Sequence, residues 1–168
     1  MHIDGYVAVQ ATTVLVRVHE EEPVTGKAAD VIQCARTCFD AALRLIRPGK
    51  RISTVAGPLN RIAEEYGCTL VDGVMTHNMK QFVIDGNKCI LNRPAPDQRV
   101  EDATIEEFEV YAIDIVVSTG VWVVLQSDIS TCRLCTCLAA KHYVFPLQDC
   151  CRDAVQKALL MTVESSRL

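Results

Sequence analysis

Apolar residues recur at intervals of three and four in two stretches of the chain, and this spacing predicts two amphipathic helices. The first helix is predicted over residues 27–47, with Thr25 as its N-cap. The second is predicted over residues 54–66, where Ser53 or Thr54 can cap the first turn. Each helix has one apolar face, so each is expected to pack against another element.

Runs of β-branched and aromatic residues predict strands in the rest of the first 120 residues. The N-terminal stretch MHIDGYVAVQATTVLVRVHE is typical of extended chain with a hairpin turn at Asp4-Gly5. A short strand is predicted at CTLVDG, and His77 is predicted to lie in the loop after it. The segment QFVIDGNKCIL predicts a strand pair around a second Asp-Gly turn, and VYAIDIVVSTG predicts a buried strand. This order of elements predicts an α+β fold.

The composition changes after about residue 120. Five of the nine cysteines lie within residues 132–151. In the same part of the chain, VWVVLQSD predicts another strand, and residues 149–164 predict a weak helix. We therefore predict a domain over residues 1–120 and a divergent, cysteine-rich tail over residues 121–168.

Composition and charge restrict the classes of function. The hydrophobic fraction is 49% and the formal net charge is -4, with Lys and Arg spread singly, so there is no basic footprint for nucleic acid. No run approaches the roughly 20 apolar residues of a membrane span, which predicts a soluble protein without a membrane partner. The N-terminus shows no secretory signal pattern, so a reducing compartment and free thiols are expected.

Three polar residues stand out as candidate chemistry, namely His77, Asp85 and Asp114. Asp114 lies in the middle of the predicted buried strand, where an ionised carboxylate is costly without a compensating partner. His77 lies between Met75 and Met79 and could be a ligand or a base at a cleft. A lone His or Asp is more often a hydrogen-bonded structural residue, and two ligands alone leave a divalent ion far short of its preferred shell. The structural interpretation of His77 and Asp114 is therefore favoured.

The tail offers a weaker candidate. Its Cys132-x2-Cys135-x-Cys137 spacing, with His142 downstream, allows a zinc site, but a second pair at matching spacing is missing. A structural role for these cysteines is favoured over zinc binding.

Four segments of the sequence together resemble one protein family. They are MHIDGYVAVQATTVLV, VTGKAADVIQCARTCFDAALRLIRPGK, MTHNMKQFVIDGNK and FEVYAIDIVVSTG, which span roughly residues 2–120 in this order. The family is that of the proliferation-associated, ErbB-3-binding proteins, which are eukaryotic relatives of type-two methionine aminopeptidases. The resemblance implies part of the pita-bread fold of creatinases and aminopeptidases, a curved antiparallel sheet with two helices packed on it.

The resemblance also implies what became of the catalytic site. Enzymes with this fold bind two metal ions through two Asp, one His and two Glu. The ligand His is matched by His77 and the first Glu by Asp114, in YAID where the enzymes have YAIE. The second Asp is replaced by Val9, and a catalytic His that follows the ligand His is replaced by Asp85. The remaining ligands would precede residue 1 or belong to a second half of the fold, which the tail does not resemble. The resemblance therefore implies a non-catalytic homologue without a metal cofactor.

The implied function is that of a growth-associated binding or regulatory protein. The resemblance implies ribosomes, ribosomal RNA precursors, ribonucleoprotein complexes and other proteins as partners, in the cytoplasm and the nucleus or nucleolus. Two alternatives stay open. One is a metal-dependent methionine aminopeptidase, which only His77 and Asp114 favour. The other is a truncated product without independent function.

The tail bears on that last alternative. We interpret it as sequence from a truncated or mispredicted gene model or from an alternative isoform, lacking both the second half of the fold and the family's Lys-rich, RNA-binding C-terminal part. Half of a pseudo-symmetric sheet leaves an apolar edge uncovered, which predicts marginal stability or a homodimer through that edge.

Overall fold

The computed structural model describes residues 1–13, 23–94 and 98–120, together with the backbone of Cys135–Val144. These residues contain eight strands and two helices. The strand predicted in VWVVLQSD and the helix predicted over residues 149–164 lie outside them. In the described part of the chain, neither helix has the length and apolar composition needed to cross a bilayer.

Both predicted helices are present close to their predicted bounds. Helix α1 spans Gly26–Leu45 and follows Thr25, which takes the N-cap position without a side-chain hydrogen bond. Helix α2 spans Ser53–Glu65. Gly67 ends α2 in the left-handed region, with a φ of 62°, and its N–H donates to the carbonyl of Glu64. The apolar periodicity was therefore sufficient to locate both elements.

The predicted cap of α2 is wrong, because the N-cap position is taken by Ile52. Ser53, the first helical residue, donates its backbone N–H and its hydroxyl to the carboxylate of Asp102, at 3.2 and 3.0 Å. Arg51 also contacts that carboxylate, with Nε 2.7 Å away. The first turn of α2 is thus capped by a residue from a distant loop, which local sequence rules do not detect.

The strands form a hairpin and one larger sheet. Strands β1 (His2–Ile3) and β2 (Tyr6–Val7) make the hairpin around Asp4-Gly5, as predicted. The larger sheet has six strands. They are β3 (Val9–Ala11), β4 (Thr69–Leu70), β5 (Met75–Met79), β6 (Cys89–Leu91), β7 (Val110–Ser118) and β8 (Cys135–Val144).

Strand β7 is the centre of the larger sheet. The order is β3-β8-β7-β5-β6, and β4 pairs with β7 on the same side as β5. Every pairing is antiparallel. Two helices and an antiparallel sheet confirm the α+β class, and the helices contact β7 through α1.

Side chains of β7 alternate between two environments, as the pleat requires. One face of the strand packs into the hydrophobic core that the helices share. The core residues of β7 are Tyr111, Ile113, Ile115 and Val117, and those of the helices include Val31, Cys34, Ala35, Cys38, Val55 and Leu59. Asp114 belongs to the opposite face, so its carboxylate does not enter this core.

Free thiols contribute to the same core. Cys34, Cys38 and Cys68 are buried, and none of them is in a disulfide. The thiol of Cys38 donates to the carbonyl of Leu59 at 3.7 Å, and the thiol of Cys68 donates to the carbonyl of Tyr66 at 3.5 Å. Burial raises the pKa of Cys68 to about 11. These three cysteines therefore pack in the core as small apolar side chains.

Three features differ from the sequence-based predictions. His77 lies inside strand β5, not in a loop. Of the predicted strand pair QFVIDGNKCIL, only β6 is a strand, and it pairs with β5. Strand β8 was not predicted, and its backbone lies between β3 and β7 in the sheet. Part of the tail therefore joins the sheet of the first 120 residues, while the division of the chain at residue 120 stays a prediction.

Candidate functional site

The residues singled out in the sequence lie on the sheet face that points away from the helices. Val9 and Ala112 both pair with Lys141 of β8, and Ala112 pairs with His77 on its other side. Directly paired residues have side chains on the same face of a sheet. Val9 and His77 therefore share one row across the sheet, and Asp114, two residues after Ala112, shares their face.

His77 lies between two carboxylates. Its Nε2 atom is 3.7 Å from Oδ2 of Asp114, and its Nδ1 atom is 3.5 Å from Oδ1 of Asp85. The His77 and Asp114 side chains are 11% and 20% exposed, whereas Asp85 is 79% exposed. Nδ1 has no hydrogen-bond partner among the described residues. The sequence thus pointed correctly to residues that meet, although it assigned His77 to a loop.

On the side of β7 opposite β8, side chains instead of a strand hold the backbone of Asp114. Strands β4 and β5 pair with the two ends of β7 and leave its middle open on that side. The hydroxyl of Thr76 accepts the N–H of Asp114 at 3.3 Å, and the amide of Asn92 donates to its carbonyl at 2.7 Å. Asn60 of α2 in turn donates to the carbonyl of Asn92 at 2.8 Å. Asp114 is therefore anchored through its main chain to β5 and to a helix.

Asp85 reaches His77 because the segment before β6 folds back on β5. The N–H of Gly86 donates to the carbonyl of Asn78 at 2.8 Å, and the N–H of Lys88 donates to its side-chain oxygen at 3.1 Å. A Cβ atom on Gly86 would lie 2.7 Å from the carbonyl oxygen of Asn78. Only glycine allows the two backbones to come this close. The turn that was predicted to join the two strands of a hairpin is instead hydrogen-bonded to Asn78.

A second polar cluster fixes the start of β7. The ammonium of Lys88 lies 2.6 Å from Glu109 and 2.8 Å from Glu106, and the hydroxyl of Tyr111 donates to Glu109 at 3.0 Å. Burial raises the pKa of Glu109, but the N–H of Glu106 and the bonds from Lys88 and Tyr111 bring it below its usual range. The same burial and the same carboxylate raise the pKa of Tyr111. We interpret this network as structural, because its charged and hydroxyl groups form ion pairs and hydrogen bonds with one another.

The donor atoms of the described residues do not by themselves form a site for a pair of metal ions. Val9 offers no donor atom, and its side chain is 39% exposed on the face that His77 and Asp114 share. In the described part of the chain, no group of three or more His, Cys, Asp or Glu side chains is arranged to hold a metal ion. An imidazole between two carboxylates can attract a cationic group by charge, but it lacks the bridging ligands that hold two cations together.

Comparison with known proteins gives the family. No family model matches the chain. Residues of this chain are 54% identical over 119 residues to the potato (Solanum tuberosum) protein "ERBB-3 BINDING PROTEIN 1", a match that covers 71% of this chain and 30% of the relative. They are 45% identical over 119 residues to "Proliferation-associated protein A" of Dictyostelium discoideum, covering 71% and 31%.

The chain is homologous, over this part, to the ErbB-3-binding and proliferation-associated proteins. It spans about a third of the length of these relatives. Both relatives are named for binding or for proliferation, and neither name states an enzymatic activity.

Solved structures identify the fold of the homologous part. A thermophilic Arx1 aligns with a TM-score of 0.64 at 19% identity, covering 71% of this chain and 37% of the Arx1 chain. The methionine aminopeptidase of Rickettsia prowazekii aligns with a TM-score of 0.53 at 18% identity, covering 71% and 48%. The sheet and its two helices are therefore part of the pita-bread fold, as the resemblance implied.

Three residues that organise the site were not singled out from the sequence. Thr76 and Asn92 hold the main chain of Asp114, and Asn78 holds the turn that carries Asp85. All three are buried polar residues. A signal for two of them was present, because the run MTHNM places three polar residues between two methionines, and buried polar side chains need partners.

Proposed function

We propose that this chain is a non-enzymatic binding protein with the growth-associated role of the ErbB-3-binding family. The observation that carries the proposal is Val9, an apolar side chain in the same row of the sheet as His77. Without a carboxylate at this position, nothing bridges a second cation to the His77 and Asp114 pair, and a metal-bound water is not activated. The two remaining ligand positions are then remnants of a catalytic site.

The role of the open face follows from its charge. Asp114 and Asp85 flank His77 on a face that neither α1 nor α2 covers, so this face serves at most as a docking groove for a partner. By the family resemblance, the proposed partners are ribosomes, ribonucleoprotein RNA and proteins, and the proposed location is the cytoplasm and the nucleolus. The name of the potato relative adds an ErbB-3-type protein as a partner class.

The experiment that tests the non-enzymatic role combines a thermal melt with a peptide assay. We expect millimolar cobalt or manganese to leave Tm unchanged, since a cation stabilises the folded state only when it binds there. We also expect no release of methionine from a Met-initiated peptide under conditions in which an active methionine aminopeptidase cleaves it.

The His77→Ala variant is the control for this experiment. A cation-dependent rise in Tm that His77→Ala removes would contradict the absence of a metal site. Turnover of the peptide that depends on the same residue would establish the alternative, a metal-dependent methionine aminopeptidase, which the 3.7 Å approach of His77 to Asp114 favours.

A product without independent function is the second alternative. The matched part corresponds to about a third of each relative, and a portion of a larger fold buries a smaller fraction of its surface than the whole fold does. This alternative predicts a broad, uncooperative melt in the same experiment. A single cooperative transition would support an independently folded binding protein.

A further inference from the structure

Exposed apolar side chains gather at the N-terminal hairpin. Met1, Ile3 and Tyr6 are 89%, 71% and 56% exposed, and Phe82, from the turn after β5, is 78% exposed. We call these four side chains the hairpin surface. The surface is contiguous, because the N–H of Phe82 donates to the carbonyl of Gly5 at 2.8 Å and the ring of Phe82 lies against Gly5.

The hairpin surface also borders a cleft. The cleft has a volume of about 260 Å³ and lies between the hairpin and the ends of β5 and β7. Its walls are apolar except for one charged side chain. The residues that line it are Met1, Ile3, Tyr6, Val7, Ala8, Met79, Lys80 and Val110. The surface therefore combines protruding apolar side chains with an apolar recess into which such side chains from another molecule could pack.

The exposed apolar area of the hairpin surface indicates what kind of partner could cover it. Side chains of this size expose up to roughly 200 Å² each, so the four together leave about 600 Å² of apolar area in water. This is at the upper end of the largest patch on an ordinary monomer, about 300–600 Å². Two such surfaces facing each other would bury about 1,200 Å², which reaches the lower bound of specific protein interfaces.

Charge around the hairpin surface is self-complementary. Asp4, in the hairpin turn, and Lys80, at the cleft, are both exposed. Neither forms an ion pair within the described residues. An isologous interface pairs residue i with j and j with i, so a twofold axis that passes between Asp4 and Lys80 would bring Asp4 of each copy to Lys80 of the other.

We propose that the hairpin surface is the interface of an isologous dimer, and that its occupant is a second copy of this chain. Ile3, Tyr6 and Phe82 of each copy pack against the recess and side chains of the other. The two edges of the sheet are weaker candidates, because the outer strands β3 and β6 have three residues each and offer few free backbone groups. The predicted homodimer is thereby assigned to side-chain packing at the hairpin.

Sedimentation velocity of the full chain over a range of concentrations tests the proposal. We expect a monomer–dimer equilibrium, and we expect Phe82→Asp to raise the dimer dissociation constant at least about tenfold, as for an interface hot spot. Phe108→Asp is the matched control. Phe108 is 72% exposed, and its φ of 65° matches the 61° of Phe82, but it is not part of the hairpin surface.

Exchanging the charges of Asp4 and Lys80 provides a second test that does not depend on Phe82, whose substitution could disturb the hairpin. Asp4→Lys and Lys80→Asp should each weaken the dimer, because each places like charges across the axis. The double variant should restore the dissociation constant of the unmodified chain to within a few-fold. Recovery in the double variant would support the isologous arrangement, and its absence would overturn it.

Other outcomes count against the dimer. A monomer at every concentration overturns the proposal. Open-ended aggregation that is insensitive to the charge exchange also overturns it, because nonspecific hydrophobic association has no twofold axis. An equal effect of Phe82→Asp and Phe108→Asp would place the interface elsewhere.

Discussion

Asp114 shows at the scale of one residue how a buried strand accommodates a carboxylate. Its neighbours Ile113 and Ile115 point into the core, while its own side chain lies on the opposite face, 20% exposed and beside His77. Strand periodicity assigns alternate residues to opposite faces, so the position of this carboxylate on a face of its own was predictable from the sequence. The sequence offered no grounds to predict that Thr76 and Asn92 would satisfy the main chain of this residue, because that contact depends on a gap between β4 and β5.

Gly86 provides a prediction at the residue scale. Gly86→Ala should destabilise the chain by about 1–3 kcal/mol, since the added methyl group meets the carbonyl oxygen of Asn78 at 2.7 Å and this backbone cannot withdraw cheaply. Gly57→Ala is the control, because Gly57 lies within α2 and a Cβ there meets nothing within 4 Å. The control should stabilise α2 by about 0.5–1 kcal/mol.

Urea denaturation of the two glycine variants checks this prediction. The two changes should move the midpoint in opposite directions. If Gly86→Ala leaves the midpoint unchanged, the backbone contact between Gly86 and Asn78 does not stabilise the turn in solution.

Whole elements were predictable wherever the apolar pattern was strong. Helix α1, helix α2 and β7 appear within a few residues of their predicted bounds, because each has a regular apolar face that the core buries. Strand β5 was missed because its centre is polar, and polar residues between turn signals predict a loop. Its Thr76, His77 and Asn78 are buried, a tertiary effect that overrides the local pattern.

The network at the start of β7 gives a prediction of pH dependence at the scale of the element. The pKa of Glu109 is lower in the folded chain than its usual value of about 4.3, so the ionised group stabilises the fold above that pH. The contribution is lost as the pH falls through the lowered pKa. Glu109→Gln should therefore cost about 1–3 kcal/mol at pH 7 and progressively less toward about pH 3.

Thermal melts of the two carboxylate variants at several pH values provide the measurement. Glu106→Gln is the matched control, because Glu106 binds the same lysine but is 72% exposed, and its loss should cost less than about 1 kcal/mol. A difference between Glu109→Gln and the unmodified chain that stays constant from pH 7 to pH 3 would rule out the network as its cause.

At the scale of the whole molecule, the homologous part is a portion of a larger architecture. The fold class was predictable from the order of the elements, and the pita-bread fold came only through the resemblance of four motifs. Strand β8 was not predictable, because the segment CTCLAAKHYV has little β-branched content and no strand alternation. Its place between β3 and β7 depends on pairing partners far away in sequence.

The proposed ribosome association yields a prediction for the intact chain. The formal net charge of -4 gives no general attraction to RNA, so any binding must come from a small number of local phosphate contacts. Each such contact releases counterions, and cosedimentation with ribosomes should fall several-fold between about 50 and 200 mM salt. Binding that is equally strong at both concentrations would indicate a protein partner, and no cosedimentation at low salt would contradict the proposed association.

The support of Asp114 through its main chain has a consequence for how this site can change over time. Thr76 and Asn92 bind the peptide groups of residue 114, and those groups are the same for any amino acid except proline. The identity of the side chain is thereby uncoupled from the geometry of the strand. A lineage can exchange, shorten or discard a functional group at this position while the scaffold stays intact, which is the condition under which an ancestral activity is lost and the architecture is retained for another purpose.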